Sequence, residues 1–154
     1  MKRAEIVTKS AEQTCEKGFE LGKRAFSGLF IALIGELGAG KTVFVKGLAA
    51  GLGVEDASKV KSPSFVILHE YRGPITLYHM DAYRLSEESF YQTIDHREYF
   101  YSDGVTVLEW ADRVPDILPA RRLDIKIEHM REECHRRITA IPLGADESRL
   151  LEAF

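Results

Sequence analysis

Hydrophobic and polar positions along the first third of the chain alternate in a way that predicts a helix, a strand and a second helix. Ser10 followed three residues later by Gln13 resembles a capping box, and the pattern after it predicts a helix over residues 11–25. Residues 29–34 form an unbroken apolar run of strand-forming residues, which predicts a strand. Residues 42–50 then predict a helix that Gly51 and Gly53 end.

The rest of the chain predicts more strands than helices. Two strand patterns, 64–70 and 75–80, flank a turn and predict a hairpin. A polar segment compatible with a helix follows, then a strand, a strictly alternating strand with one wet face, a last strand paired with it, and a short C-terminal helix; their bounds are 86–99, 104–110, 123–128, 134–142 and 146–154. We therefore predict an α/β fold whose sheet mixes parallel and antiparallel strands and is flanked by helices.

Composition is that of an ordinary globular protein. The chain has 154 residues, of which 45% are hydrophobic and 29% charged, and we expect residues 1–154 to form one domain. Cys15 and Cys134 match no metal-ligand spacing and are typical of reduced thiols, and no apolar stretch is long enough for a membrane span. We expect a cytoplasmic protein without a membrane partner.

Charge argues against solitary binding to nucleic acid. The formal net charge is −3, so no general basic field attracts a polyanion. Basic residues do cluster locally, and we expect them to be solvated strand ends and loops; they are Arg121, Arg122, Arg131, Arg136 and Arg137.

The segment between the apolar run and the second helix fits the phosphate-binding loop G-x-x-x-x-G-K-[ST]. Glycines allow successive backbone N–H groups to face inward as an anion nest, and the helix after the loop adds its positive end. Lys41 can reach the β- and γ-phosphates, and the Thr42 hydroxyl can bind Mg²⁺. The predicted nucleotide-binding residues are Gly35, Glu36, Leu37, Gly38, Ala39, Gly40, Lys41, Thr42, Val43 and, beyond the loop, Trp110.

Two acidic residues stand where apolar strands end. Glu109 follows the apolar part of the strand at 104–110, and Asp81 follows the strand at 75–80. An acid at the carboxyl end of a strand beside a phosphate loop is a candidate Mg²⁺ ligand or water-orienting group. An N-cap or a strand-end salt bridge is the alternative for each acid, and the salt bridge weighs most for Asp81, because Arg84 lies three residues further on.

Weaker signals lie in a Ser-Pro segment and at the single tryptophan. Pro63 pushes Ser62 toward extended geometry, which would present the hydroxyls of Ser62 and Ser64 as a γ-phosphate sensor or switch, although such a turn is more often only a turn. Trp110 stands beside Glu109 and fits either core packing or contact with a nucleotide or a partner. The sequence contains no asparagine, so the Asn-Lys-x-Asp guanine reader cannot be present. Adenine is therefore the favoured base, although guanine can be recognised in other ways.

The order of these motifs resembles the TsaE (YjeE) family, bacterial ATPases of tRNA threonylcarbamoyladenosine synthesis. The likeness spans nearly the whole chain, and the Ser-Pro, Asp-x-Tyr-Arg-Leu and Glu-Trp elements are more specific than the loop. The segments that carry it are residues 35–42, 61–65, 78–85, 98–100, 107–113 and 118–119.

The resemblance implies a P-loop NTPase-like fold that binds Mg²⁺ and ATP and works with TsaD and TsaB, touching tRNA indirectly at most. It implies that Lys41 holds phosphates, that Thr42 and Glu109 bind the metal, and that Asp81 assists hydrolysis. It further implies a switch segment made of Ser62, Pro63, Ser64 and Phe65, with Trp110 near the site. Hydrolysis is expected to be slow alone and to reset the partner complex between turnovers.

Two other functions remain compatible with a phosphate loop. A small-molecule kinase would need an acceptor pocket and usually an arginine-bearing lid, and the sequence shows no convincing lid. A switch module would bind ATP and change its affinity for a partner without useful hydrolysis. Asp81 and Glu109 favour chemistry over a pure switch.

Overall fold

A computed structural model describes residues 2–63, 67–84, 88–89, 92 and 95–154. Within these residues seven strands form one sheet in the order β1-β7-β6-β2-β5-β4-β3. The strands are Ala4–Thr8 (β1), Phe30–Ile34 (β2), Leu68–Tyr71 (β3), Leu77–Asp81 (β4), Val105–Glu109 (β5), Arg122–His129 (β6) and Arg136–Leu143 (β7).

The helices that the structure describes are mostly short. They are α1 (Ala11–Arg24), α2 (Lys41–Gly51), α3 (His96–Phe100) and α4 (Ala145–Ser148), with 3-10 turns at Ala57–Lys59, Ala111–Arg113, Pro115–Ile117 and Arg149–Ala153. The predicted cap of α1 is present, because Ser10 Oγ accepts from the backbone N–H of Gln13 at 3.1 Å. The Gln13 side chain accepts in turn from the N–H of Lys9 at 2.7 Å.

The sheet is mixed, which confirms the predicted fold class. β4, β5, β2 and β6 run parallel to one another, so their carboxyl ends share one edge of the sheet. β3–β4 and β6–β7 are antiparallel hairpins, as the sequence predicts. β1 is an edge strand that pairs with β7 and was not predicted from the sequence.

The central strand β2 has hydrophobic neighbours on both faces. Ile31 and Leu33 belong to the core beneath α1 and α2, whereas Phe30 and Ala32 belong to the core on the opposite face. All four side chains are at most 1% exposed. Burial on both faces explains why this strand is continuously apolar, while β6 alternates.

Helix α1 lies against α2 through a close contact between glycines and backbone. A Cβ atom built on Gly47 would lie 1.8 Å from the Cys15 carbonyl oxygen, and one on Gly18 would lie 2.1 Å from the Phe44 carbonyl oxygen. Only glycine allows the two backbones to approach this closely. The contact fixes the position of α2 and therefore of the loop that precedes it.

Two predicted helices differ from the described structure. Within the helix predicted over 86–99, residues 88, 89 and 92 are helical, whereas Asp95 is not and instead caps α3, which begins at His96; residues 86–87, 90–91 and 93–94 lie outside the described residues. The predicted C-terminal helix is a short α-helical turn that continues as a 3-10 turn through Ala153.

Candidate functional site

Three strand ends meet at the site. β5 lies between β2 and β4, and Glu109 is in register with Leu33 of β2 on one side and with Asp81 of β4 on the other. The loop at residues 35–40 follows β2 directly and leads into α2. The geometry therefore brings the glycine loop, Glu109 and Asp81 together at one edge of the sheet.

The glycine loop has the backbone of an anion nest. Gly38 and Gly40 have φ of +75° and +103°, in the left-handed region that favours glycine. Gly40 is the N-cap of α2, and α2 runs for 11 residues, so the first N–H groups of a full helix point toward the loop. The conformation and the helix end together fit a bound phosphate chain.

The outside of the loop is braced by the β6–β7 hairpin. Arg136 donates from Nε to the Ala39 carbonyl at 2.9 Å and from Nη2 to the Gly38 carbonyl at 3.2 Å. His129, the register partner of Arg136, places Nε2 3.3 Å from the Leu37 carbonyl oxygen. The expectation that Arg136 is merely a solvated strand end is wrong. It does describe Arg137, which is exposed and lies 3.5 Å from Glu5.

Lys41 occupies the mouth of the loop. Its Nζ donates to the carbonyl of Gly35 and, at 3.0 Å, to that of Glu36, and it lies 4.1 Å from the centre of the Trp110 ring. Burial lowers the pKa of Lys41, and the negative charges of Glu109 and Asp81 act in the opposite direction. Anionic oxygens in the cavity would be stronger acceptors for this ammonium group than two carbonyls.

Trp110 belongs to an aromatic cluster over that lysine. Its backbone is left-handed, with φ of 58°, and its ring lies 4.8 Å from the ring of Tyr83. The Arg113 guanidinium lies 5.0 Å from the Tyr83 ring centre and 5.6 Å from that of Trp110. Trp110 therefore packs on its neighbours and lines the cavity beside the loop, and its contact with a nucleotide stays a prediction.

Asp81 is bound to the segment predicted as a switch. Ser62 Oγ donates to Asp81 Oδ2 at 2.9 Å, and the backbone N–H of Tyr83 donates to Oδ1 at 2.7 Å. The Asp81 backbone N–H also donates to the Ile67 carbonyl at 3.0 Å. Pro63 is buried next to Ser62, whereas Ser64 and Phe65 of the predicted switch lie outside the described residues.

Glu109 has a buried partner that the sequence analysis missed. His79 Nε2 lies 2.5 Å from Glu109 Oε2, and the two residues are 0% and 2% exposed. A histidine inside an apolar strand, two positions before Asp81, was the available signal. Its partner could not be identified before the register of β4 on β5 was known.

Most of the predicted site residues line one of two cavities. One, of about 650 Å³, is lined by Leu37, Gly38, Ala39, Gly40, Lys41, Thr42, Val43, Ser62, Asp81, Tyr83, Arg84, Glu109 and Trp110. Gly35 and Glu36 line a second, of about 380 Å³, which shares Trp110 with the first. Their contribution to the first cavity is indirect, through the carbonyls that hold Lys41.

The larger cavity has suitable chemistry for a nucleotide-bound magnesium ion. Thr42, Glu109, Asp81 and Ser62 supply hard oxygen atoms around one space beside the loop. Among the described residues, no group of three or more His, Cys, Asp or Glu side chains is placed to hold a metal ion. Mg²⁺ is commonly held by one or two protein oxygens together with water and substrate phosphates, and the residues present fit that kind of site.

Comparison with known proteins identifies relatives over most of the chain. Residues 8–138 match the family model described as threonylcarbamoyl adenosine biosynthesis protein TsaE. A Treponema pallidum protein named tRNA threonylcarbamoyladenosine biosynthesis protein TsaE is 42% identical over 121 residues, which cover 79% of this chain and 88% of the relative. A Bacillus subtilis protein of the same name is 43% identical over 123 residues, covering 79% of this chain and 75% of the relative.

In the part of the chain that the structure describes, no helix is both long enough and apolar enough to traverse a bilayer.

A solved structure shows the same fold. The crystal structure of YdiB from Bacillus subtilis superposes with a TM-score of 0.81 at 34% identity, and the alignment covers 98% of this chain and 93% of the YdiB chain. The family match, the relatives and the shared fold agree, and the chain belongs to the TsaE family of threonylcarbamoyl adenosine biosynthesis proteins.

Proposed function

We propose that this protein is a cytoplasmic, Mg²⁺-dependent P-loop ATPase that supports the threonylcarbamoyladenosine modification of tRNA by acting on a TsaD–TsaB complex. The observation that carries the proposal is the convergence of the glycine loop, Glu109 and Asp81 on one cavity. The names of the relatives, which refer to tRNA threonylcarbamoyladenosine biosynthesis, support the pathway.

The loop and Lys41 perform the binding step. Backbone N–H groups at residues 38–43 surround the phosphate oxygens, and Lys41 leaves the carbonyls of Gly35 and Glu36 to pair with the terminal phosphates. Thr42 and Glu109 would hold Mg²⁺, which when bound would neutralise charge on the transferred phosphoryl group. Trp110 keeps the lysine near the mouth of the loop before the substrate arrives.

Asp81 performs the hydrolytic step. Its carboxylate lines the cavity and accepts hydrogen bonds from Ser62 and from the Tyr83 backbone, so its position is fixed from two sides. From there it orients the attacking water and accepts a hydrogen bond from it. Ser62 connects the segment at residues 61–63 to this carboxylate, which allows a bound triphosphate to change the position of the switch segment.

Partner coupling explains why so small a protein would hydrolyse ATP. The net charge of −3 gives the protein no general attraction for tRNA. ATP binding and hydrolysis would therefore control how the protein binds and releases TsaD–TsaB between turnovers. Ser62 of the predicted switch segment, and Tyr83 and Arg84 after β4, line the nucleotide cavity. A surface that includes them would therefore differ between the ATP and ADP states.

Release of phosphate, measured with and without partners, tests this function. We expect slow release of free phosphate from ATP and Mg²⁺ by the isolated protein, and faster release when TsaD–TsaB is added. A phosphorylated small molecule in place of free phosphate would identify a kinase. Partner binding that depends on ATP, without any phosphate release, would identify a switch module.

A further inference from the structure

His79 and Glu109 form a buried pair on neighbouring strands. Val107 of β5 is the register partner of His79, and Glu109 is the register partner of Asp81, so the imidazole reaches diagonally to the carboxylate on the same face of the sheet. The Nε2–Oε2 distance is 2.5 Å. Leu77 and Val107, which share this face, belong to the hydrophobic core beneath α2.

Burying the His79–Glu109 pair costs folding free energy. A buried carboxylate and a buried imidazole lose hydration, and a purely structural role is met as well by apolar side chains of similar volume. Glu109 nevertheless lines the nucleotide cavity, and His79 stands behind it, away from the lining. The arrangement therefore resembles a ligand with a supporting partner more than an ion pair that stabilises the fold.

Hydrogen-bond chemistry assigns the proton on the ring. His79 Nδ1 is buried, and no described residue hydrogen-bonds it. The carboxylate of Glu109 can only accept, so Nε2 carries the proton and donates it. The ring is thus committed to one contact, with Glu109.

We propose that His79 is a positioning residue: its Nε2–H holds Oε2 of Glu109, so that the carboxylate keeps one orientation toward the cavity in which it would bind Mg²⁺. This inference rests on the proposed function. Supporting partners of metal ligands commonly change metal affinity or activity by about 10- to 100-fold when they are removed. Replacing His79 should therefore change the Mg²⁺ concentration that nucleotide binding requires. It should leave the metal-free affinity of the loop for phosphates unchanged.

Binding of a non-hydrolysable ATP analogue, measured by calorimetry with excess Mg²⁺ and with EDTA, separates these effects. We expect His79→Leu to raise the Mg²⁺ concentration needed for half-maximal binding by about 10- to 100-fold and to leave binding in EDTA unchanged. His79→Gln keeps an N–H donor at a similar reach and should recover most of the loss. His69→Leu is the matched control, because His69 is the register partner of His79 on β3 and contacts Tyr71 instead of Glu109.

Three results would overturn the inference. They are an unchanged magnesium requirement in His79→Leu, an equal loss of binding with and without the metal, and a His79→Gln variant no better than His79→Leu. If His79→Leu does not fold, His79→Gln is compared with the wild type instead. The inference then requires a magnesium requirement of His79→Gln near that of the wild type, and a much higher requirement contradicts it.

Nitrogen-15 NMR of labelled histidine tests the hydrogen bond without any nucleotide. The His79 signals, assigned by their loss in His79→Gln, should show a protonated Nε2, and an unprotonated Nε2 contradicts the proposal. If the wild-type protein binds no analogue under either condition, the proposed function fails, while this spectrum still decides whether His79 donates to Glu109.

Discussion

Arg136 donates from Nε to the carbonyl oxygen of Ala39 at 2.9 Å, although the two residues are 97 positions apart in the chain. Its Nη2 reaches the carbonyl of Gly38 as well. Holding these carbonyls on the outside of the loop leaves the neighbouring N–H groups to face the cavity. The hairpin β6–β7 thus helps to organise the proposed phosphate site, which lies in a distant part of the sequence.

Replacing Arg136 with Ala should weaken nucleotide binding. The two hydrogen bonds involve a charged donor but are partly exposed, and we expect their loss to cost about 1.4 kcal/mol of binding free energy, or tenfold in affinity. Calorimetric titration with ADP measures the change. Arg137→Ala is the matched control, because Arg137 is exposed and pairs loosely with Glu5. Equal nucleotide affinities of the two variants would show that the hydrogen bonds from Arg136 to the loop do not affect nucleotide binding.

Replacing Gly47 with Ala should destabilise the fold in spite of alanine's higher helix propensity. The added Cβ would lie 1.8 Å from the Cys15 carbonyl oxygen, so α1 and α2 must move apart. Overpacking of this kind costs about 1–3 kcal/mol, and the rigid backbone obstacle puts Gly47→Ala at the upper end. Urea unfolding measures the free energy of unfolding.

The control for Gly47 is its neighbour on the same helix. Lys46 is half-exposed, and Lys46→Ala should change the free energy of unfolding by less than about 0.5 kcal/mol. A Gly47→Ala variant as stable as Lys46→Ala would contradict the close approach of the two helices.

Stability should fall in mild acid partly because of His96. Burial lowers the pKa of His96 below its ordinary value of 6.5, since the buried ring resists charging. The unfolded chain therefore binds this proton more readily, and the free energy of unfolding decreases as the pH falls from about 6.5 through the lower native pKa. His96→Gln should flatten the profile between pH 7 and 5. An unchanged slope in that variant would show that His96 does not contribute.

Substitutions at Asp81 and at Glu109 should affect different steps, hydrolysis and metal-dependent binding respectively. Asp81→Asn removes the carboxylate that we propose orients the attacking water, so we expect phosphate release to fall by about 100-fold or more while binding of the ATP analogue persists. Glu109→Gln should instead raise the magnesium requirement for binding. Steady-state phosphate release and analogue titration measure the two effects.

A distant, exposed aspartate controls for the loss of a charge. Asp103 is exposed and precedes β5, whereas Glu109 ends that strand. Asp103→Asn should leave both measurements unchanged. Hydrolysis at the wild-type rate by Asp81→Asn would remove Asp81 from the mechanism.

Local signals in the sequence predicted most of the elements around the site. The apolar run of β2, the glycines after it and the acids at the ends of β4 and β5 each have a local cause, and the structure places them together. Parallel strands bring their carboxyl ends to one edge, so Asp81 and Glu109 could be placed near the loop before their register was known.

The missed features depend on contacts between distant segments. β1 has only five residues and forms by pairing with β7, more than a hundred residues away. Arg136 resembled a surface charge until the register of the last hairpin placed it against the loop. His79 needed the pairing of β4 with β5 to meet Glu109. Such pairings are set by the whole sheet and leave little trace in local sequence.

Calorimetry with ATP and Mg²⁺ tests the central claim most directly. The wild-type protein should bind one nucleotide per chain, more tightly with the metal than with EDTA. Lys41→Ala, which removes the ammonium group at the mouth of the loop, should bind far more weakly while remaining folded. The absence of any heat of binding by folded wild-type protein, or equal binding by Lys41→Ala, would contradict the account.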